Sequence, residues 1–365
     1  MAKRKTIVEK VVDLIKDNKQ MTLNEIYTEL PEHPQASIRG NINRHINTAE
    51  NPQIQRVDKG IYSIVEIIST TKDENGKYHI NYNAQYFCGD KEITFFHKDF
   101  VTDSPVTEGI FERKDNFDSF EELTEHEKSI RGILVKGDAV EILKKLKDES
   151  FNLIVTDPPY KVISGGNKSK KSPKGMLSKN DGKIFDFNNI EFSDYMPDLY
   201  RVLKSESHAY FFTNFLNLQT LMEEVQKVGF KIHNLLVWMK NNTLPNRWYM
   251  KNCEYVLMCR KGKAVAINNK SCQTVHQFNN IFGKKLHETE KPLEILNMYI
   301  TNSSKVNDYV LDPFGGSGST MASALLNDRR CMTIEIDGKY IPTIKQRVSG
   351  ILKTGSDYRE GLALA

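Results

Sequence analysis

From residue 130 onward the chain alternates short apolar runs with segments of helical periodicity, and this alternation constrains the fold more than any other feature. Several of the intervening segments, such as Leu216–Val228 and Tyr340–Leu352, have the spacing of amphipathic helices. An alternation of strands and helices predicts an α/β fold with a mostly parallel, doubly wound sheet that carries helices on both faces. The predicted strands are Ile133–Val135, Leu153–Val155, His208–Thr213, Leu235–Met239, Tyr255–Cys259, Tyr309–Leu311 and Met332–Ile336.

The tetrapeptide Asp157-Pro158-Pro159-Tyr160 directly follows one of these apolar runs. The context predicts a buried strand that ends in a tight, exposed loop. The two prolines fix the backbone and remove two amide donors, so the loop can present a carboxylate, a bare carbonyl and an aromatic ring to one ligand. By itself, the tetrapeptide is equally well explained as a surface turn after a strand.

A glycine-rich loop, Asp312–Thr320, lies between another predicted strand and a helix. Open α/β sheets bind nucleotides at this place, and glycines let the backbone approach a ligand closely. Glu335 ends the following strand, where an acid can hold two ribose hydroxyls. The loop has neither the Lys-Ser/Thr pair of a P-loop nor the G-x-G-x-x-G spacing, which disfavours ATP hydrolysis but does not choose among adenosine ligands.

Three motifs taken together resemble the DNA amino-methyltransferases over residues 131–352: D-P-P-Y, then H-x-T-E-K-P at His287–Pro292, then D-P-F-x-G-S-G-S-T. The catalytic motif precedes the cofactor motif, which is similar to the circularly permuted order of the family's beta group. Glu288 stands where the family usually has proline, and Gly315 where methionine is common. The resemblance implies a Rossmann-like methyltransferase fold and methyl transfer from S-adenosylmethionine to an exocyclic amine of double-stranded DNA.

The resemblance also implies the catalytic residues Asp157, Pro158, Pro159 and Tyr160. The carboxylate of Asp157 and the carbonyl of Pro158 would accept the two hydrogens of the amine, while Tyr160 stacks on a base that has left the duplex.

The family's cofactor contacts carry over to nine positions. Glu335 would hold the ribose, Asp138 the adenine amine, and the glycine loop the methionine end, together with Thr289 and Lys291. Each of three residues also has a purely structural explanation: Lys291 as a surface lysine before a helix, Asp138 as a turn residue, and Glu335 as a solvated strand end. The predicted cofactor-binding residues are Asp138, Thr289, Lys291, Asp312, Phe314, Gly316, Ser317, Gly318 and Glu335.

The target base is expected to be adenine, because D-P-P-Y usually accompanies adenine targets in this family and S-P-P-Y cytosine targets. Methylation of cytosine at N4 remains an alternative. Others are a DNA-binding regulator with a degenerate methyltransferase fold and a methyltransferase that acts on RNA or protein. The resemblance leaves open whether the protein forms a homodimer and whether a cognate restriction endonuclease accompanies it.

Residues 1–64 have the pattern of a small winged-helix domain: three helices and a short hairpin. Thr22 and Glu25 form a capping-box pattern at the second helix. The third helix carries Arg39, Asn43 and Arg44 on its polar faces, side chains suited to the major groove of DNA. A helical protein-interaction module is the alternative.

The other segments are less regular. Residues 65–130 are predicted to be a connector with a β-hairpin, and residues 353–365 a tail. Residues 161–190 form a basic loop that closes over DNA through Lys170, Lys171 and Lys174, or else a disordered insert. Residues 241–285 are the candidate target recognition region, with Arg247, Trp248 and Lys251 as DNA contacts.

Composition limits the remaining options. A net charge of +4 and a pI near 8.5 are compatible with nucleic acid. The five cysteines form no C-x-x-C pair, which predicts reduced thiols and no metal site. No apolar signal core follows the basic N-terminus, and no stretch approaches the roughly 18 apolar residues of a membrane span. We therefore expect a cytoplasmic protein that does not enter membranes, and the resemblance implies that the cell is bacterial or phage-infected.

Overall fold

The computed structural model describes residues 5–18, 20–48, 54–58, 61–88, 91–102, 129–159, 190–244, 249–281, 285–287 and 290–357. The helices are α1 (Ile7–Asn18), α2 (Leu23–Glu29), α3 (Gln35–Thr48), α4 (Ala139–Leu143), α5 (Phe192–Val202), α6 (Phe215–Lys227), α7 (Leu293–Ser303), α8 (Ser319–Leu326) and α9 (Ile341–Thr354). The strands are β1 (Gln20–Thr22), β2 (Ile54–Asp58), β3 (Ile61–Lys72), β4 (Tyr78–Cys88), β5 (Lys91–Thr102), β6 (Ile130–Lys136), β7 (Phe151–Thr156), β8 (Leu203–Thr213), β9 (Lys231–Leu244), β10 (Lys251–Lys261), β11 (Val275–Gln277), β12 (Tyr309–Asp312) and β13 (Arg330–Glu335).

Five parallel strands form the centre of the sheet, in the order β6-β13-β12-β7-β8. In β12 and β7, Val310 pairs with Leu153 and Leu311 with Ile154. The loops that follow these two strands therefore leave the same edge of the sheet, side by side, although more than 150 residues separate them in the sequence. This pairing confirms the α/β prediction and places the two sequence motifs next to each other.

The complete sheet is mixed, so the prediction of a mostly parallel sheet is right only for its centre. Strands β3, β4, β5 and β6 pair antiparallel on one side, and β8, β10 and β9 do so on the other. The reason lies in the connections, since β4 and β5 are separated by only two residues. A connection that short joins antiparallel neighbours, whereas a parallel pair needs a crossover of a dozen or more residues.

Much of the predicted connector is sheet. The predicted hairpin corresponds to β4 and β5, in which Cys88 pairs with Lys91. Strand β3 runs through the predicted boundary at residue 64, since Ile61 pairs with Thr22 of β1 while Val65 pairs with Ala84 of β4. The N-terminal helical unit and the large sheet therefore share one strand.

Two apolar layers cover the two faces of the sheet. One contains buried residues of α4, α5 and α6, and the other contains buried residues of α7, α8 and α9. Successive residues of a strand point to opposite faces, and Leu153 and Val155 accordingly lie in the second layer while Ile154 lies in the first. The helices therefore wind on both faces, as predicted.

The N-terminal helices α1, α2 and α3 enclose a separate small core that includes Val11, Ile26 and Ile38. The capping box of α2 is present, because the backbone N–H of Glu25 donates to Thr22 and that of Thr22 donates to the Glu25 carboxylate. The assignment of this unit to the winged-helix domains stays a prediction. Of the helices that the structure describes, none combines the length and the apolar character needed to cross a bilayer.

Candidate active site

A cavity of about 360 Å³ opens at the carboxyl edge of the parallel strands. Its wall includes Asp138 after β6, Asp157 after β7, Asp312 at the end of β12 and Glu335 at the end of β13. Lys291, just before α7, adds a cation to the same lining, which also includes Glu290, Asp337 and Lys339. The four carboxylates that end or follow the parallel strands converge on one space because these strands end at one edge of the sheet.

The glycine-rich loop folds tightly against β13. Gly316 and Gly318 have φ angles of +51° and +73°, in the left-handed region that favours glycine. A Cβ on Gly315 would lie 2.3 Å from Cγ2 of Thr333, so this position has no room for a side chain. The close approach lets the backbone N–H of Gly316 donate a 2.6 Å hydrogen bond to Oε2 of Glu335.

Glu335 is a buried carboxylate at the cavity wall. Its Oε1 accepts a 2.7 Å hydrogen bond from the backbone N–H of Asp337. Burial raises the pKa of Glu335 to about 7, although the hydrogen bonds from Asp337 and Gly316 oppose the shift. The group therefore changes charge near neutral pH in the ligand-free protein.

Asp312 connects the two central strands. Its Oδ1 accepts a 2.7 Å hydrogen bond from the Thr156 hydroxyl and a 3.2 Å bond from the backbone N–H of Phe314. Burial raises the pKa of Asp312 to about 7 as well. Because Thr156 directly precedes Asp157, this bond fixes the root of one loop to the root of the other.

The two carboxylate oxygens of Asp157 differ in their contacts with the described residues. Oδ2 accepts a 2.5 Å hydrogen bond from Nζ of Lys291. Oδ1 is shielded from solvent and accepts no hydrogen bond in the part of the chain that the structure describes. Burial raises the pKa of the Asp157 carboxyl, and the adjacent Lys291 ammonium opposes that rise.

The chain is similar to proteins of known family. The protein-family model for DNA methylases matches residues 151–346, which is more than half of the chain. The Type II methyltransferase M.HinfI of Haemophilus influenzae is 30% identical over 253 residues, which cover 61% of this chain and 70% of that protein. The chain belongs to this family of DNA methylases. The family takes the methyl group from S-adenosylmethionine.

Two further similarities were found. The Type II methyltransferase M2.LlaDCHI of Lactococcus lactis subsp. cremoris is 30% identical to this methylase over 241 residues, 60% of this chain and 89% of that protein. The crystal structure of the M1.HpyAVI–SAM complex is 25% identical with a TM-score of 0.44, and covers 58% of this chain and 96% of that one.

The structure brings most of the predicted cofactor residues of the methylase together. Gly318 lies just behind the cavity wall, where it precedes α8 and packs against Ile344. Asp138 also caps α4, since its Oδ1 accepts a 2.7 Å hydrogen bond from the backbone N–H of Val140. The predicted cofactor residues that line the cavity are Asp138, Lys291, Asp312, Phe314, Gly316, Ser317 and Glu335.

Some of the predicted residues fall outside this description. Arg39 is exposed on α3, and Lys251 is exposed at the start of β10. Asn43 and Arg44 lie on α3, but their side chains are beyond what the structure describes. The predicted residues outside the described ranges are Tyr160, Lys170, Lys171, Lys174, Arg247, Trp248 and Thr289.

His287 is a cavity residue that the sequence analysis did not select, although it begins the H-x-T-E-K-P motif. Its ring packs 4.4 Å from the ring of Tyr340, and a Cβ on Gly316 would lie 3.5 Å from it. Burial lowers the pKa of His287 to about 4, and the charges of Lys291 and Lys339 add to the effect. The imidazole is therefore neutral at physiological pH and covers the glycine loop as a flat, uncharged surface.

Arg347 of α9 is a second such residue, and it is almost completely buried. Nη1 donates hydrogen bonds to the Ser319 hydroxyl at 3.0 Å, and to the Ser317 carbonyl and Glu290 Oε1 at 3.3 Å each. Nε donates a 2.7 Å bond to Asp357. One guanidinium thus joins the glycine loop, the H-x-T-E-K-P motif and a residue of the predicted tail, so Asp357 is part of the folded structure.

Proposed function

We propose that this DNA methylase transfers its methyl group to the N6 amine of an adenine. The observation that carries the proposal is the Asp157 carboxylate, whose Oδ1 accepts no hydrogen bond from the described residues and which stands beside the glycine loop in one cavity. The first residue of the tetrapeptide is Asp rather than Ser, which supports adenine over cytosine.

The chemistry follows from the two oxygens on this loop. The lone pair of an exocyclic amine is delocalised into the ring, so the nitrogen is a weak nucleophile. Oδ1 of Asp157 and the carbonyl of Pro158 would accept the two N–H groups, draw the nitrogen toward tetrahedral geometry and localise its lone pair. A base inside a duplex cannot reach these atoms, so the adenine must be flipped out of the DNA.

The cavity has the properties needed for S-adenosylmethionine. Its volume lies in the usual range of small-molecule sites, about 300–1,000 Å³. Glu335 would accept hydrogen bonds from the ribose hydroxyls, Asp138 from the adenine amine, and the backbone around Gly316 would face the methionine end. When bound, the cofactor supplies an electrophilic methyl group on its sulfonium.

Substitution of Asp157 by alanine tests the assignment. We expect methyl transfer to fall by at least about a hundredfold, because a preorganised polar contact to the reacting group is lost. Binding of S-adenosylmethionine, measured by calorimetry, should be retained. Asp148→Ala, which removes an exposed carboxylate paired with Arg201, is the matched control.

Mass spectrometry of the methylated DNA gives the base directly. N6-methyladenine is expected, and N4-methylcytosine as the only product would refute the choice of base. An unchanged transfer rate in Asp157→Ala would refute the catalytic role of the carboxylate.

Contact with double-stranded DNA is proposed to involve the N-terminal unit as well as the cavity edge. Arg39 is exposed on α3, the helix that the winged-helix pattern assigns to the major groove. Lys251 is exposed at the start of β10, within the candidate target recognition region. A homodimer and a cognate restriction endonuclease stay predictions from the family resemblance.

A further inference from the structure

A row of four alternating charges leads from the catalytic loop into the outer part of the sheet. Lys291 contacts Asp157 at 2.5 Å and Glu254 at 3.4 Å, so one ammonium group is shared by two carboxylates. Glu254 in turn forms an ion pair with Lys240. The order of charges is therefore Asp157, Lys291, Glu254, Lys240.

The row is shielded from solvent along its length. The exposed fraction of the side chain is 9% for Lys291, 14% for Lys240 and 25% for Glu254. Charges that are shielded in this way interact more strongly than they would on an open surface. A change at one end of the row therefore affects the other end.

The two outer members lie away from the reaction. Glu254 is on β10, directly opposite Trp238 of β9, and Lys240 follows two residues later on β9. Asp157 and Lys291 are among the described residues that line the cavity, whereas Glu254 and Lys240 are not. Neither residue belongs to the D-P-P-Y, H-x-T-E-K-P or glycine-loop motif.

We infer that Glu254 and Lys240 are positioning residues, which set how completely the Lys291 ammonium is committed to the catalytic carboxylate of Asp157. The inference rests on the proposed role of Asp157 in methyl transfer. Glu254 competes with Asp157 for Lys291, and Lys240 weakens that competition by neutralising Glu254. The two residues therefore act on Asp157 with opposite signs.

The electrostatics of Asp157 agree with this arrangement. Burial and the negative charge of Glu254 raise the pKa of the Asp157 carboxyl, while Lys291 and Lys240 lower it. Burial would raise the pKa of Glu254 too, but Lys291 and Lys240 together bring it below its ordinary value. Both lysines therefore favour the negative charge of Glu254.

Other titratable groups also face this region. Asp312 on β12 and Tyr195 on α5 each have a pKa that burial and the charge of Asp157 raise. Lys285 lies near Lys240 and Lys291, and burial together with these two charges lowers its pKa. Lys240→Met removes a charge that lowers the pKa of Lys285, and Glu254→Gln removes one that raises it. Lys285 loses its charge as the pH rises, so its titration belongs to the alkaline limb of a pH profile and not to the acidic limb.

The test is the pH dependence of kcat/KM for DNA in Glu254→Gln and Lys240→Met, measured at saturating S-adenosylmethionine so that ionisation of Glu335 does not contribute. Only the ionised Asp157 accepts both its ammonium partner and the amine, so its ionisation sets the acidic limb of the profile. We expect the limb to move to lower pH in Glu254→Gln and to higher pH in Lys240→Met. At a fixed pH on the limb, the rate should rise roughly tenfold in the first variant and fall roughly tenfold in the second.

Two controls separate this effect from structural damage. The double variant should return the acidic limb close to its position in the wild-type protein. Cofactor affinity should change less than about twofold in each variant, because neither Glu254 nor Lys240 lines the cavity. Glu224→Gln, which breaks an ion pair with Lys227 on the outer helix α6, should leave the limb in place. Shifts of the same sign in both single variants, or no shift, would overturn the inference.

Failure of the proposed function can be recognised separately. If the wild-type protein methylates cytosine, the proposed base is wrong, but the acidic limbs of the two single variants still test the inference. If it methylates neither base, the ionisation of Asp157 can be followed by infrared difference spectroscopy, with Asp157→Asn as the blank. The pH at which the carboxyl band disappears should then be lower in Glu254→Gln and higher in Lys240→Met. Shifts of this pH in the same direction, or no shift, would again overturn the inference.

Discussion

The buried carboxylate of Glu335 predicts that binding of S-adenosylmethionine weakens as the pH falls below neutrality. In the ligand-free protein its pKa is raised to about 7. The ribose hydroxyls would donate to the ionised form, and charge-assisted hydrogen bonds are the stronger kind. A protonated Glu335 therefore has to lose its proton before S-adenosylmethionine binds, so the affinity is proportional to the ionised fraction of Glu335.

The magnitude follows from that pKa. With a value of about 7, roughly 9% of the carboxyl is ionised at pH 6 and roughly 91% at pH 8. The dissociation constant should therefore be about tenfold larger at pH 6 than at pH 8. Isothermal titration calorimetry with S-adenosylmethionine at several pH values in this range measures the change.

Two variants identify the group responsible. Glu335→Gln should bind more weakly at every pH and lose most of the pH dependence. Asp312→Asn should keep it, because Oδ1 of Asp312 is occupied by Thr156 and Phe314 although its pKa is also about 7. Equal affinities at pH 6 and pH 8 in the wild-type protein, or a full tenfold change in Glu335→Gln, would refute the reasoning.

Two further predictions concern the glycine loop and the N-terminal helices. Gly315→Ala should lower the free energy of unfolding by about 1–3 kcal/mol, because the new Cβ collides with Cγ2 of Thr333. Serine lacks the colliding methyl group, so adding Thr333→Ser to Gly315→Ala should restore part of the stability measured by thermal unfolding. A loss of stability in the double variant as large as in Gly315→Ala alone would contradict the collision. Arg39→Ala should reduce the salt dependence of DNA binding by about one phosphate contact if α3 lies on the DNA. Fluorescence anisotropy over a salt series measures the slope of log affinity against log salt concentration, with Lys305→Ala on an exposed loop as the control. Identical slopes in Arg39→Ala and the wild-type protein would exclude the contact.

The central part of the fold could be predicted from the sequence because it depends on local patterns. Apolar runs such as Phe151–Val155 identify the strands, and the rule that parallel strands end at one edge is sufficient to bring Asp157 and Glu335 to one cavity. The antiparallel additions were harder to predict. The alternation of Tyr78, Ile80 and Tyr82 indicates a strand but not which neighbour the strand pairs with.

The interactions around the two motifs could not be read in the same way. The family resemblance places Lys291 among the cofactor residues, but nothing in the sequence pairs it with Asp157, 134 positions away. Arg347 and Asp357 are separated by only ten residues, but the polar segment after α9 has the composition of a tail. In both cases, the partner is chosen by the three-dimensional packing of helices on the sheet, which local periodicity does not encode.

The hydrogen bond between Thr156 and Asp312 has a consequence for how such an enzyme can diversify. It joins the loop proposed to hold the methyl acceptor to the loop proposed to hold the methyl donor, at the ends of two adjacent central strands. Although Lys240 on β9 and Glu254 on β10 act on Asp157, alignment of the reacting atoms does not depend on the peripheral segments that connect the outer strands. Those segments are free to change in length and sequence, so one catalytic centre can serve many different recognition sequences.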